Sequence, residues 1–314
     1  MTGRSGRQCA WAVGKNTELS EDGRHILAKV GGNFAENDRR FSVHEILRIT
    51  GDVDYETGNI RFKGTVIIGG NVKPRFRVEA DGDVIVFGTV ESAFISAKRD
   101  VTVWGGVTAV NTGAIEAGRD LRCKFMENAN AQVGRHAQFE TLILSDVSAG
   151  GNISVTSGKG VVIGGTLTSM GDIRVRAAGN RAFRATTLAL EPTEAFLSQK
   201  NKRTYELDAV RGEWQSVESG MRPLIEHREN PRVAEVLARQ AALLIELQER
   251  IDELKQQLET LQRMERAVRQ HRVYTSRAYP NVLIKIGGRS LKLSSEYFGA
   301  TFGIAGKEIR DLNE

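Results

Sequence analysis

A short punctuation recurs through the middle of this 314-residue chain and constrains its architecture more than any other feature. It reads GDV at Gly51, GGNV at Gly69, GDV at Gly82, RDV at Arg99, GRDL at Gly118, GRHA at Gly134, GGNI at Gly150, GGTL at Gly164 and GDI at Gly171. Most steps run from 12 to 20 residues. Many are followed by a brief alternation such as Val84-Ile85-Val86, Val101-Thr102-Val103, Ile153-Ser154-Val155 or Ile173-Arg174-Val175. A period of two marks short strands with one apolar face. Gly beside Asp or Asn is expected to supply the positive φ of a sharp corner, with the short polar side chain bonding its own backbone.

Hairpins would need two-residue turns between longer runs, and here the runs are too short and the corners too many. The pattern predicts a solenoid, in which turns of roughly 15 to 20 residues stack at about 4.8 Å and every strand pairs in parallel with its counterparts above and below. Val84, Val101, Ile153 and Ile173 then point inward. From Gly51 to Leu190 this gives about 7 or 8 turns. A six-residue repeat, the mark of left-handed acyltransferase helices, is missing, so the expectation is a right-handed parallel β-helix with variable corners. A β-sandwich is the competing class.

Glycine use marks where this structure stops. Of 33 glycines, 20 lie between Gly51 and Gly179, whereas only Gly212 and Gly220 occur from Asn180 to Ile286. Beyond Pro192 the apolar period changes. Leu207, Val210, Trp214, Val217, Met221 and Leu224 alternate steps of three and four, as do Leu244, Leu247, Ile251, Leu254, Leu258 and Leu261, with Leu237 and Val268 extending the second stripe. Both are coiled-coil seams. Between them lies EHRENP, residues 226–231, where Pro231 ends one helix and opens the next. Gln240 and Glu265 fall on the second seam and Lys200 and Arg203 begin the first, so pairing should be firmest in the middle of the second helix.

Alternation returns in YPNVLIKIGGRSLKL, with Val282, Ile284 and Ile286 on one face. A chain that leaves a β structure and rejoins it makes the helices an insertion. The expected fold class is therefore mainly β with α, a right-handed parallel β-helix with an inserted long antiparallel coiled-coil hairpin. Its expected divisions are N-terminal strands or cap over 1–50, β-helix over 51–191, helical hairpin over 192–274 and returning strands over 275–314.

Charge limits the function. The chain carries a formal +5, but from Pro192 to Ser276 there are 14 Lys plus Arg and 14 Asp plus Glu. A balanced shaft is no clamp for nucleic acid. RFR at Arg75 to Arg77 is the one basic-aromatic cluster, better read as a solvated edge. No apolar run reaches the roughly 20 residues of a membrane span, and the start lacks a secretion signal. A soluble, cytoplasmic protein is expected. Cys9 and Cys123, far apart and without CxxC or His neighbours, should be reduced thiols.

Enzyme signatures fail on inspection. GGNISVTSGKG is no phosphate loop, because Gly160 follows Lys159 and Ile153 stands where the first Gly belongs. The five histidines, His25, His44, His136, His227 and His271, are scattered. Asp83, Asp100, Asp120 and Asp172 form a carboxylate series, yet each sits at a corner where Asp has a structural task. The expectation is no enzyme, no catalytic residue, no cofactor and no metal.

LSEDGRHILAKVGG, then ITGDVDYETGNIRFKGTVIIGGNV, KGVVIGG and YPNVLIKIGG together resemble the flagellar assembly protein A family, from about Gly14 to Ile304. The resemblance implies a right-handed β-helix with a long coiled coil in a cytoplasmic bacterial protein, and a role in flagellar assembly, motility or polar organisation. Members carry a longer N-terminal domain than this chain has before Gly14. The implied function is an interaction scaffold for protein partners of the flagellar or polar machinery. The hairpin tip, Glu226, His227, Arg228, Glu229 and Asn230, is the candidate contact. A carbohydrate-active β-helix enzyme, a polymer-forming or septum-positioning-like β-helix, and an arm that only joins copies into a homo-oligomer are the alternatives.

Overall fold

The computed structural model describes residues 12–37, 40–110 and 113–313. A β-solenoid of about eight turns carries two long helices. The valines and isoleucines of successive turns lie one above another. In one sheet the column runs Val66, Val84, Val101, Leu121, Ala137, Ile153 and Ile173, all in parallel register. A second sheet stacks Val78, Ile95, Ile115, Ala131, Val147, Leu167 and Leu188 in the same way. Val84, Val101, Ile153 and Ile173 are fully buried, as the alternation requires, whereas Ile85, Thr102, Ser154 and Arg174 face outward. A parallel stack satisfies its backbone only through neighbouring turns, so each turn holds the next by a ladder of hydrogen bonds and by apolar burial at once.

The corner glycines act differently from the expectation. Gly82, Gly118, Gly134, Gly150 and Gly171 do not have positive φ. What they lack is room. A Cβ on Gly118 would stand 2.1 Å from the Lys98 carbonyl oxygen, and one on Gly134 would stand 2.0 Å from the Gly118 oxygen. Backbone rests directly on backbone at this corner, and only hydrogen fits. Positive φ occurs instead at another bend, on Arg75, Ser92, Asn128 and Leu144, with Gly164 and Gly165 on a later turn.

Corner polar groups also reach further than expected, to the next turn rather than to their own backbone. Asp83 Oδ1 accepts from Asp100 N at 3.1 Å, Asp100 Oδ1 from Asp120 N at 3.1 Å, and Asp120 Oδ1 from His136 N at 3.1 Å. His136 Nδ1 accepts from Asn152 N at 3.0 Å, Asn152 Oδ1 from Asp172 N at 2.8 Å, and Asp172 Oδ1 from Arg272 N at 3.1 Å. A shorter ladder at a different corner runs from Asp52 to Asn71 to Thr89. The punctuation in the sequence thus samples several corners, which is why its spacing looked irregular.

At its C-terminal end the stack changes from parallel to antiparallel pairing. Val273–Ala278 and Val282–Ile286 continue the two sheets, but Tyr297–Ala305 and Arg289–Lys292 then pair antiparallel against them. Near the other end, Asn33–Asn37 and Arg40–His44 form an antiparallel pair, and Thr17–Leu19 pairs with Ile26–Ala28. The N-terminal pairs lie in sheets separate from the stack, whereas the C-terminal antiparallel strands interrupt the parallel template that an open solenoid end would offer another chain.

Candidate partner-binding site on the paired helices

Helix α1 (Glu194–Ile225) begins at Thr193, whose side chain accepts from Phe196 N at 3.2 Å. Helix α2 (Pro231–Ala267) begins at Asn230, whose side chain accepts from Arg232 N at 3.0 Å, with Pro231 in the first turn. Each cap satisfies an amide that the helix itself cannot. At 1.5 Å per residue, 37 residues make α2 about 55 Å long.

The two ends of this excursion meet the same corner of the solenoid. Glu191 N donates to Ser169 O, and Arg272 N donates to Asp172 Oδ1. Asp172 also faces His271 Nδ1 at 3.1 Å and Arg174 at 2.8 Å, so the last carboxylate of the long ladder holds the returning strand. Phe196, Leu261 and Val268 belong to the solenoid's own apolar core. Further out, Leu207, Ile251, Leu254 and Leu258 form a separate small core with Val210 and Trp214 packed on it. Lys200 Nζ meets Glu265 Oε2 at 2.5 Å across the pair. The seam polar groups Lys200 and Glu265 therefore satisfy one another, while Gln240 Oε1 is buried without a hydrogen-bond partner.

Packing loosens outward. Leu247, Ile251, Leu254, Leu258 and Leu261 are buried, but Leu237, Leu244, Met221 and Leu224 are only half-buried. Val236, Leu243 and Ile225 are exposed by 45%, 36% and 49%. Val236 and Leu243, seven residues apart, share one side of α2. Neither falls on the three-four seam, although the run AALLI at Ala241 to Ile245 carries more aliphatic residues than one seam can use. Glu226, His227, Arg228, Glu229 and Asn230 are all exposed and lie together in the connection between the helices.

Elsewhere the other sequence candidates are accounted for by internal contacts. Besides its backbone bond, Asp83 receives Arg99 at 3.3 Å, Asp100 receives Arg119 at 3.5 Å and Asp120 receives Arg135 at 3.5 Å. The Asn71 N–H holds the Asp52 carboxyl below its ordinary pKa. Within RFR, Arg77 lies 4.3 Å over the Phe94 ring and pairs with Glu79 at 3.2 Å. Cys123 is buried, and desolvation pushes its thiol up to about 12. Cys9 lies outside the described residues. Among the described residues no group of three or more His, Cys, Asp or Glu side chains is placed to hold a metal ion, and no helix is long and apolar enough to cross a membrane.

A family model described as the flagellar assembly protein A beta solenoid domain matches residues 45–309, a span that takes in the stack and both helices. Comparisons with curated proteins and with solved structures give no match.

Proposed function

The chain belongs to the flagellar assembly protein A β-solenoid family, and from that premise we propose that it is a non-enzymatic cytoplasmic scaffold of the bacterial flagellar or polar machinery. In this reading α1 and α2 are an antiparallel coiled-coil hairpin inserted into a corner of the last turn. The solenoid is taken as right-handed, the sense in which right-twisted strands connect in parallel. The stack is the rigid body and the arm is the partner-binding element.

The observation that carries this reading is the uneven burial along α2. A helix about 55 Å long is anchored by a core near its root, yet its outer half keeps Val236 and Leu243 exposed on one side. Burial at the root accounts for attachment to the stack. It does not account for the length beyond, nor for aliphatic side chains left in water. A non-enzymatic role is supported by the corner aspartates, whose carboxylates are engaged with backbone N–H groups and arginines of the next turn.

Replacing both residues, Val236→Lys with Leu243→Lys, tests the reading. These sites lie outside the small core, so the melting temperature should hold, while capture of native protein partners and motility should fall. Unchanged capture and motility in that variant would remove the outer arm from the partner surface.

A further inference from the structure

One outward face of the solenoid carries two large aromatic residues that stay more than half exposed. Phe87 and Trp104 follow the paired residues Val86 and Val103, so they occupy the same place on successive turns. Their rings are parallel within 6° with centroids 6.5 Å apart, and they are 55% and 63% exposed. Exposed flat apolar faces in line are a cost unless something stacks on them.

The backbone beside them is specially built. Between the Trp104 turn and the next, the register slips: Val103 faces Cys123, but Gly106 faces Phe125. Two residues, Trp104 and Gly105, therefore stand against the single Lys124, a bulge that re-aims the side chain it contains. The glycines of VWGGV permit it. A Cβ on Gly105 would stand 2.3 Å from the Gly88 oxygen, and one on Gly106 would meet the Phe125 ring.

The step in cross-section opens a groove of about 600 Å³, lined by Trp104, Arg122, Lys124, Gln138, Glu140 and Ser157 among others. Its far wall is the loop that follows Val155, the stretch that superficially suggested a phosphate loop. Arg176 fixes that loop by donating to Thr156 O at 2.6 Å and Gly158 O at 2.7 Å. Arg99, Arg119 and Arg135, at the nearby corner, are paired with the corner aspartates. Arg122, Lys124 and Glu140 have no ion-pair partner among the described residues.

We propose that this groove binds a short stretch of an acidic polysaccharide. The C–H face of a pyranose ring lies on Trp104, a sugar carboxylate is received by Arg122 and Lys124, and Gln138, Glu140 and Ser157 meet ring hydroxyls. A guanidinium beside an ammonium is suited to a carboxylate, and planar amide and carboxylate groups suit vicinal hydroxyls. Single-stranded nucleic acid also stacks on aromatic rings, but it needs a continuous cationic track. Here the groove lining holds two cations, Arg122 and Lys124, and the next turn sets Glu140 beside Lys124. Binding requires no cleavage and is independent of the arm.

Isothermal titration of the full chain with hexagalacturonate and with a mannuronate oligosaccharide tests the proposal. At least one should bind. Trp104→Ala, Arg122→Gln and methyl esterification of the sugar should each weaken binding about tenfold or more, ~1.4 kcal/mol. The control Phe298→Ala, exposed on a strand at the end of the stack, should bind as the parent does. Thermal melts separate lost binding from lost folding, and Trp104→Phe, which keeps a stacking face, should retain part of the affinity. No heat from either oligosaccharide at about 10 mM, equal binding by Trp104→Ala, or tighter binding of oligo-dT would each overturn it.

Discussion

At a single position in the stack, burial and neighbour distance decide what a substitution costs. Val101 is fully buried while its neighbour Thr102 faces outward. Val101→Asp buries a carboxylate without a partner and should cost several kcal/mol in urea unfolding, whereas Thr102→Asp should be mild. Comparable losses at the two sites would place the strand one residue out of register. Glycines divide in the same fashion. Gly118 has ordinary φ but no space, so Gly118→Ala should cost about 3 kcal/mol by overpacking. Gly58 has φ of 72° with nothing within 4 Å, so Gly58→Ala should cost only about 1 kcal/mol, from backbone strain alone. Equal costs would mean that conformation, not contact between turns, governs the corners. The repeat makes Gly118 legible in the sequence but not the cause of its glycine, because a close approach between residues 16 to 20 apart leaves no local trace.

For whole elements, the relation of the helix pair to the last turn is the point that invites experiment. On the turn below, the three residues Met170 to Asp172 join Ser169 to Ile173, which are paired with Leu190 and Val273. Replacing residues 192–271 by one glycine rebuilds a corner of that length from Glu191, Gly and Arg272. Circular dichroism should then lose most of its helical signal and keep a cooperative strand transition. The midpoint should fall, since Phe196, Leu261 and Val268 leave the shared core. Loss of strand and helix together would contradict an excursion from an otherwise continuous stack. Both helices were legible from their three-four apolar spacing, and the turn from Pro231. The exposed pair Phe87 and Trp104 was not, because a period of two says which residues face outward but not which outward residues stack, nor where a bulge turns one of them. The antiparallel strands after Gly287 were likewise hidden, since alternation looks the same in either direction of pairing.

Across the molecule, two modes of construction meet. In the stack, every turn is fixed by the turns beside it through apolar columns and side-chain ladders, which makes a stiff rod with little of its core left to rearrange. In the arm, one small core near the root is followed by a looser length with exposed aliphatic residues. Family membership sets flagellar assembly as the context, and this contrast in packing motivates giving the partner-binding task to the arm. The most direct measurement removes length without touching the root. Deleting residues 215–228 and 232–245 takes the outer 11 residues of α1 with three of the connection, and two heptads of α2, and keeps Leu207, Val210, Trp214, Ile251, Leu254 and Leu258. The shortened protein is then compared with the full chain for melting temperature and for capture of native partners. The scaffold account predicts an unchanged melting temperature and lost capture, whereas capture at full strength by the shortened arm would contradict it.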